Sequence, residues 1–258
     1  MAAAKTRLIT LLPGADVDLA RWLLSLWGIP YREEPHAPVL HAIALRREGA
    51  GPKDSPLLLH AGQHLPGVDR IVAALDADAP SGLRLLPDPA TEPALHAEVT
   101  RLQHAFRWTM GMGTVRWAYH HLLQDRALIW DSFTTGVPAW EKAALRLGGF
   151  GVVRRKLTQI LKLDDAAAAT GLQAVSAAWD EVDAMLADGR AYLCGGRLTL
   201  ADLAFATSGA PMVLHPGYGG HLPDVKACPQ TIRETVFALR ARPAGQFIAR
   251  LYSDHRAP

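Results

Sequence analysis

Three stretches hold residue types and spacings able to do chemistry. The densest is 104–121, HAFRWTMGMGTVRWAYHH, where Arg107, Trp108, Met112, Arg116, Trp117, Tyr119 and His120 mix aromatic and cationic groups beyond what a plain surface carries. Tyr119 and His120 are the members best suited to act as acid or base. Core packing in a long helix is the competing account of Phe106, Trp117 and Tyr119. The second stretch, Leu193–Ala206, reads LCGGRLTLADLAFA. Its Thr199-x-x-Asp202 spells a capping box: the Thr hydroxyl accepts from the Asp202 N–H, and the carboxylate reaches back to the Thr199 N–H. The third, Pro13-Gly14-Ala15-Asp16-Val17-Asp18, sets two carboxylates at a helix start. A cap role for Asp16 outweighs a catalytic one, because Asp is a favoured N-cap residue.

Other chemistries fall away on position. His60 and His64 have the spacing of a helical metal pair, but they flank Gly62 in a predicted hairpin, where their side chains diverge. His120 and His121 are adjacent and point differently from one helix. No metal site is expected. There is no Cys-x-x-Cys for thiol redox work, no Walker loop and no dinucleotide fingerprint. Cys194 and Cys228 read as reduced thiols, the first as a packing group.

The elements that must position these residues follow from periodicity. Residues 7–12 form a short apolar run ended by Pro13–Gly14, and Leu19, Trp22, Leu23 and Leu26 mark one face of a helix that stops at Gly28. Tyr31–Glu33 suits a second strand, parallel to the first across that helix. A short helix at Leu40–Arg47, a hairpin of Leu57–His60 and Gln63–Leu65, and a helix through Ile71 to Leu75 complete a β-α-β-α-β-β-α unit. Pro80, Gly82, Pro87, Pro89 and Pro93 then punctuate a linker. Beyond it the spacing is helical throughout, most strictly at Leu172, Val175, Trp179, Val182 and Leu186. The expected domains are residues 1–77, thioredoxin-like α/β, and 93–258, all-helical, joined by the linker 78–92.

Charge is nearly balanced, with 27 Lys and Arg against 25 Asp and Glu. A net +2 offers no overall footprint for nucleic acid or a membrane, and Arg46–Arg47, Arg154–Lys156 and Arg240–Arg242 read as solvated helix faces. The apolar run Leu8–Leu12 is too short for a signal-peptide core, and no stretch is long enough to span a bilayer. A cytoplasmic protein is the expectation.

The capping box in its setting, with Tyr192-Leu193 and Gly195–Gly196 ahead of L-T-L-A-D-L-A, resembles the glutathione S-transferase family, where such a box starts the buried central helix of the second domain. RWLLSLWGIPY (Arg21–Tyr31) is similar to that family's first helix and second strand. Ser55–Pro56–Leu57–Leu58 is similar to the stretch carrying its cis-proline, and ARPAGQFIARLY (Ala241–Tyr252) to the tail of some bacterial members. The match is piecewise and collinear over nearly the whole chain.

The resemblance implies a thioredoxin-like domain followed by an all-α domain, glutathione as co-substrate, and a homodimer. It implies a glutathione site at Ser55, Pro56, Gly67, Val68 and Asp69, and a pocket for a hydrophobic partner molecule at Pro13, Arg107, Trp108, Met112 and Arg116. Two departures stand out. The family sets a Ser, Tyr or Cys near the start of the first helix, and residues 13–18 hold none. A carboxylate there opposes thiol ionisation. The family also sets an acid and a Ser at the start of the third helix, where Gly67 and Val68 stand instead, with Asp69 nearby. Two functions remain open: an atypical transferase, or a non-catalytic ligand-binding or protein-interaction module on the same fold.

Overall fold

The computed structural model describes residues 6–256. A four-stranded mixed sheet opens the fold: β1 (Arg7–Leu11), β2 (Arg32–His36), β3 (Leu57–His60) and β4 (Gln63–Pro66), in the order β2-β1-β3-β4. β1 runs parallel to β2 and antiparallel to β3, and β3 antiparallel to β4. The apolar run of β1 is buried on both faces. Leu8 and Leu58 join the main core, while Ile9 and Leu57 pack with Leu45 in a separate small cluster. Alternate residues reach opposite sides of the sheet, so a continuous apolar run signals cover on both.

Three helices supply that cover: α1 (Ala15–Leu26), α2 (His41–Arg47) and α3 (Gly67–Leu75). β2 extends to His36, beyond the expected Glu33, although its sequence REEPH is polar. Ion pairs hold this edge strand in place of apolar burial. Glu34 accepts two bonds from Arg7, and Glu33 accepts from Arg21 and from the Thr10 hydroxyl. The Leu12–Pro13 and Ser55–Pro56 peptides are both cis; the second was expected and the first was not.

Between Asp78 and Pro93 the chain forms no helix or strand. Asp76 fastens this segment by accepting from the Leu85 and Leu86 N–H groups. Helices follow: α4 (Pro93–His104), a π-helical turn (Ala105–Met110), α5 (Gly111–Leu122), α6 (Arg126–Thr134), α7 (Ala139–Ala144), α8 (Phe150–Leu161), α9 (Asp165–Leu186), α10 (Leu200–Gly209), α11 (Gln230–Ala241) and α12 (Pro243–His255). Where α5 crosses α9, Gly113 and Gly171 bring the backbones together. A Cβ on Gly113 would lie 2.6 Å from the Gly171 carbonyl, so neither position admits a larger residue without separating the helices. No helix among the described residues is long and apolar enough to cross a membrane.

Every residue of α10 is buried. A helix with no solvent around its N-terminus must satisfy its first N–H groups internally. The Leu200 N–H donates to the Leu85 carbonyl at 3.0 Å, and Asp202 satisfies the chain that enters the helix: one oxygen accepts from the Leu193 N–H at 2.8 Å, the other from the Thr199 N–H and hydroxyl, each at 2.7 Å. Thr199→Ala should therefore lower unfolding free energy by about 1 kcal/mol, the usual loss for an N-cap. Urea denaturation measures this, and an unchanged midpoint would count against the box.

Candidate functional site

β1 delivers the chain to the start of α1 through Leu12–Pro13. Gly14, in extended backbone, is the N-cap and offers no side chain to the helix. Asp16 is not the cap that composition suggests. Its carboxylate takes both arms of the Arg107 guanidinium, Nε to Oδ1 at 2.9 Å and Nη2 to Oδ2 at 2.8 Å. Arg107 sits in the π-helical turn with its side chain only 2% exposed, and its Nη1 donates to Asp69 in α3 and to Gln103. One cation thus closes the gap between the N-termini of α1 and α3. Burial alone would disfavour the charged guanidinium, but the two carboxylates more than offset it and hold its pKa above the ordinary value.

The expected glutathione-site residues come together on this side of the sheet, with their groups partly committed. The Ser55 hydroxyl accepts from the Leu11 N–H at 3.0 Å. The Gly67 N–H, expected to be open, donates to the Pro56 carbonyl at 2.8 Å. Val68 buries its side chain in the core and offers the cleft only its backbone. The Val68 and Asp69 N–H groups are first-turn donors outside the α3 ladder. Asp69 has 62% of its side chain exposed, and only Oδ1 is engaged.

Beside α1 lies a narrow cavity of about 60 Å³. Pro13, Gly14 and Ala15 form one wall, and α5 another through Gly111, Val115, Ala118, Tyr119 and Leu122. These α5 positions recur at three and four, one helical face. The expected Trp108, Met112, Arg116 and His120 recur at four on an adjacent row and do not line the cavity. Trp108 and Met112 are exposed, and His120 pairs with Asp165 at 3.2 Å. Of the five expected pocket residues Pro13 alone lines this cavity, joined by Tyr119, which was expected as an acid or base; Arg107 is drawn into its ion pairs.

Tyr218, absent from the sequence reading, faces the same cavity as Tyr119. Neither phenol forms a hydrogen bond among the described residues. Burial pushes both pKa values up, and the Asp18 carboxylate raises that of Tyr218 further, so each stays a neutral O–H donor. α1 sets the position of Tyr218 through the next residue: Asp18 accepts from the Gly219 N–H at 2.9 Å, and Arg21 donates to the Gly219 carbonyl at 2.6 Å. Asp18 is fully buried and also accepts from the Tyr252 hydroxyl and from Arg256, which docks the end of α12 on α1. The only sequence signal for Tyr218 was an aromatic residue isolated among glycines, PGYGG.

Leu214, Leu222 and Pro223 divide this cavity from a larger one of about 670 Å³ that contains no α1 residue. The thiols stand apart from both cavities. Burial pushes Cys194 up to about 12, which makes it a packing group without nucleophilic character.

Residues 165–224, which carry the capping box and α10, match the family model described as "Glutathione S-transferase, C-terminal domain". Among solved structures, a glutathione S-transferase from Sinorhizobium meliloti 1021 is 18% identical, with 98% of this chain and 100% of that one covered and a TM-score of 0.52. A glutathione S-transferase from Methylobacterium radiotolerans, in complex with glutathione sulfonate, is 18% identical over 94% of this chain and 93% of that one, with a TM-score of 0.52. The beta-etherase LigF from Sphingobium sp. strain SYK-6 is 15% identical over 96% and 99%, with a TM-score of 0.56. No curated protein sequence matches the chain.

Proposed function

We propose that this chain, which has the glutathione S-transferase fold, binds glutathione and transfers it to small hydrophobic electrophiles. The observation that carries the reading is the ion-pair cluster of Arg107 with Asp16 and Asp69, which spans the two helix N-termini facing the cleft. A bare Asp16 would repel a thiolate. Paired with Arg107 at two oxygens, its charge is neutralised, and the first-turn N–H groups of Ala15, Asp16 and Val17 are left to stabilise the sulfur. Asp69, with one oxygen unengaged, suits the γ-glutamyl ammonium.

In this mechanism the thiolate attacks an electrophilic carbon lodged against Tyr119 and Tyr218. A C–S bond forms as the leaving group departs with its electron pair, and either neutral phenol can donate a hydrogen bond to that developing charge. The cavity, at about 60 Å³, holds a small apolar group, and a larger one requires movement of the Leu214–Pro223 wall. By likeness to the family the reading includes a homodimer in the cytoplasm.

A non-catalytic ligand-binding or protein-interaction module is the second reading. It is favoured by the committed Gly67 N–H and by the lack of any hydroxyl or thiol from Pro13 to Asp18. The fold does not choose between them, since one fold hosts many unrelated functions. Calorimetric titration does: the transferase reading expects heat of binding at millimolar glutathione and thiolate absorbance of the complex near neutral pH. No binding ends it, and binding without thiolate selects the module.

A further inference from the structure

The net charge of +2 conceals a segment of different character. From Lys142 to Lys162 the chain carries six cations, Lys142, Arg146, Arg154, Arg155, Lys156 and Lys162, and no carboxylate. That leaves 21 Lys and Arg against 25 Asp and Glu elsewhere, so one segment holds a positive excess that the net negative remainder largely offsets. The same segment is unusually apolar on its outside. Of eight large hydrophobic residues exposed among the described residues, four fall between 140 and 160: Trp140, Leu147, Val152 and Ile160.

The fold places these features on one bent helical segment. α7 and α8 meet at a break where Leu147 and Gly148 leave helical geometry, Gly148 with φ of 111°. Leu147 stands at this bend with 88% exposure, and Ile160 reaches 68% further along α8. Only Phe150 and Val153 of α8 are buried. Val152, Lys156 and Ile160 recur every four residues, so a cation lies between two exposed apolar groups on one row. Beside this bend, Arg126 lies 4.4 Å from the Trp130 ring centre and Arg146 5.9 Å from it. The nearest acids in sequence are engaged or sit beyond the ends: Glu141 is buried against His36, Asp164 caps α9 and Asp165 meets His120.

We propose that the bent α7–α8 segment is a docking surface for an anionic lipid bilayer, onto which the protein settles as a peripheral membrane protein. This goes beyond the transferase reading and does not depend on it. The expectation of no membrane partner rested on the net charge and on reading Arg154–Lys156 as a solvated helix face; what the fold adds is the exposure of Leu147, Val152 and Ile160 beside those cations. A bilayer surface changes from anionic to apolar within about 5–10 Å, which accommodates Leu147 and Ile160 while Arg and Lys stems bend back to the headgroups. A nucleic acid would satisfy the cations and gain nothing from an exposed Leu. A second copy docking the same face across a two-fold axis would set six cations against six.

The test is co-sedimentation of the full-length protein with vesicles of phosphatidylglycerol and phosphatidylcholine, against vesicles of phosphatidylcholine alone. Pelleting is expected only with the anionic vesicles, and it should weaken as salt rises. The double variant Leu147→Glu/Ile160→Glu should bind at least roughly tenfold more weakly, since it removes apolar insertion and adds repulsion. Both positions are exposed, so its thermal melt should match the wild type, and Arg154→Ser/Arg155→Ser/Lys156→Ser gives an independent loss by charge alone. Absence of pelleting, equal pelleting on phosphatidylcholine, or full binding by the double variant would overturn the proposal. So would a wild-type dimer that the double variant dissociates without any vesicle binding, which would assign the face to a second copy. Retention of the wild type but not the variant on polyglutamate, with no binding to vesicles, would assign it to an acidic protein instead.

Discussion

Asp202→Ala should lower unfolding free energy by about 4 kcal/mol, the sum of three buried donors left without an acceptor at roughly 1–3 kcal/mol each. The donors are the Leu193 N–H, the Thr199 N–H and the Thr199 hydroxyl. For a chain of this size the melting temperature should fall by roughly 10 °C. A loss near 1 kcal/mol, no larger than that of Thr199→Ala, would mean that the carboxylate adds nothing beyond the cap. The same side chain makes a second, separable expectation. Burial holds its folded pKa up at about 6. The unfolded value is about 3.9. The folded state therefore binds the proton more tightly, and this group's contribution is greatest below the unfolded pKa and declines as pH rises through about 6. Asp202→Asn cannot titrate, so the stability gap between wild type and Asp202→Asn should narrow by about 2 kcal/mol from pH 4 to pH 7. Urea unfolding of the pair at both pH values reads this directly, and other carboxylates cancel in the difference. A gap that stays constant would show that Asp202 titrates normally.

The elements were legible wherever burial writes a period into the chain. β1, the β3–β4 hairpin and α10 follow from short apolar runs, turn residues and the capping box. Apolar spacing first marks α1 at Leu19 and α3 at Ile71, although the helices begin at Ala15 and Gly67, because first turns carry small and polar residues without apolar period. β2 was cut short for the opposite reason: its partners are charges on β1 and α1, and ion pairs across elements leave no periodic trace. The site shows the same division. Residues 13–18 and 67–69 were placed by position, whereas the Arg107 bridge joins residues 91 and 38 positions apart and could not be read from spacing. Trp108, Met112, Arg116 and His120 were singled out by residue type, which cannot say which of two adjacent helical rows faces the cleft. Arg154–Lys156 reads as a solvated helix face because cations alone do not show that Leu147, Val152 and Ile160 beside them are exposed.

Arg107→Ala should change both stability and sulfur chemistry, and the two effects can be told apart. The guanidinium is buried and bonds to Asp16, Asp69 and Gln103, so its loss leaves two carboxylates facing one another across the cleft. Breaking such a pair on one side costs about 3 kcal/mol. In the glutathione complex, Asp16 would then stand uncompensated near the thiol, and the thiol pKa should rise. Affinity should fall roughly tenfold or more, about 1.4 kcal/mol per decade. Asp16→Asn/Arg107→Ala removes both charges: if electrostatics governs the sulfur, thiolate absorbance near neutral pH recovers in the double variant although the fold remains weakened. Arg107→Lys keeps the charge without the two-armed geometry and should fall between wild type and Ala. Loss of stability with unchanged glutathione affinity and thiol pKa would reduce Arg107 to a brace between α1, α3 and the helical bundle. That outcome would remove the reason for placing the sulfur beside α1, whatever the fold resembles.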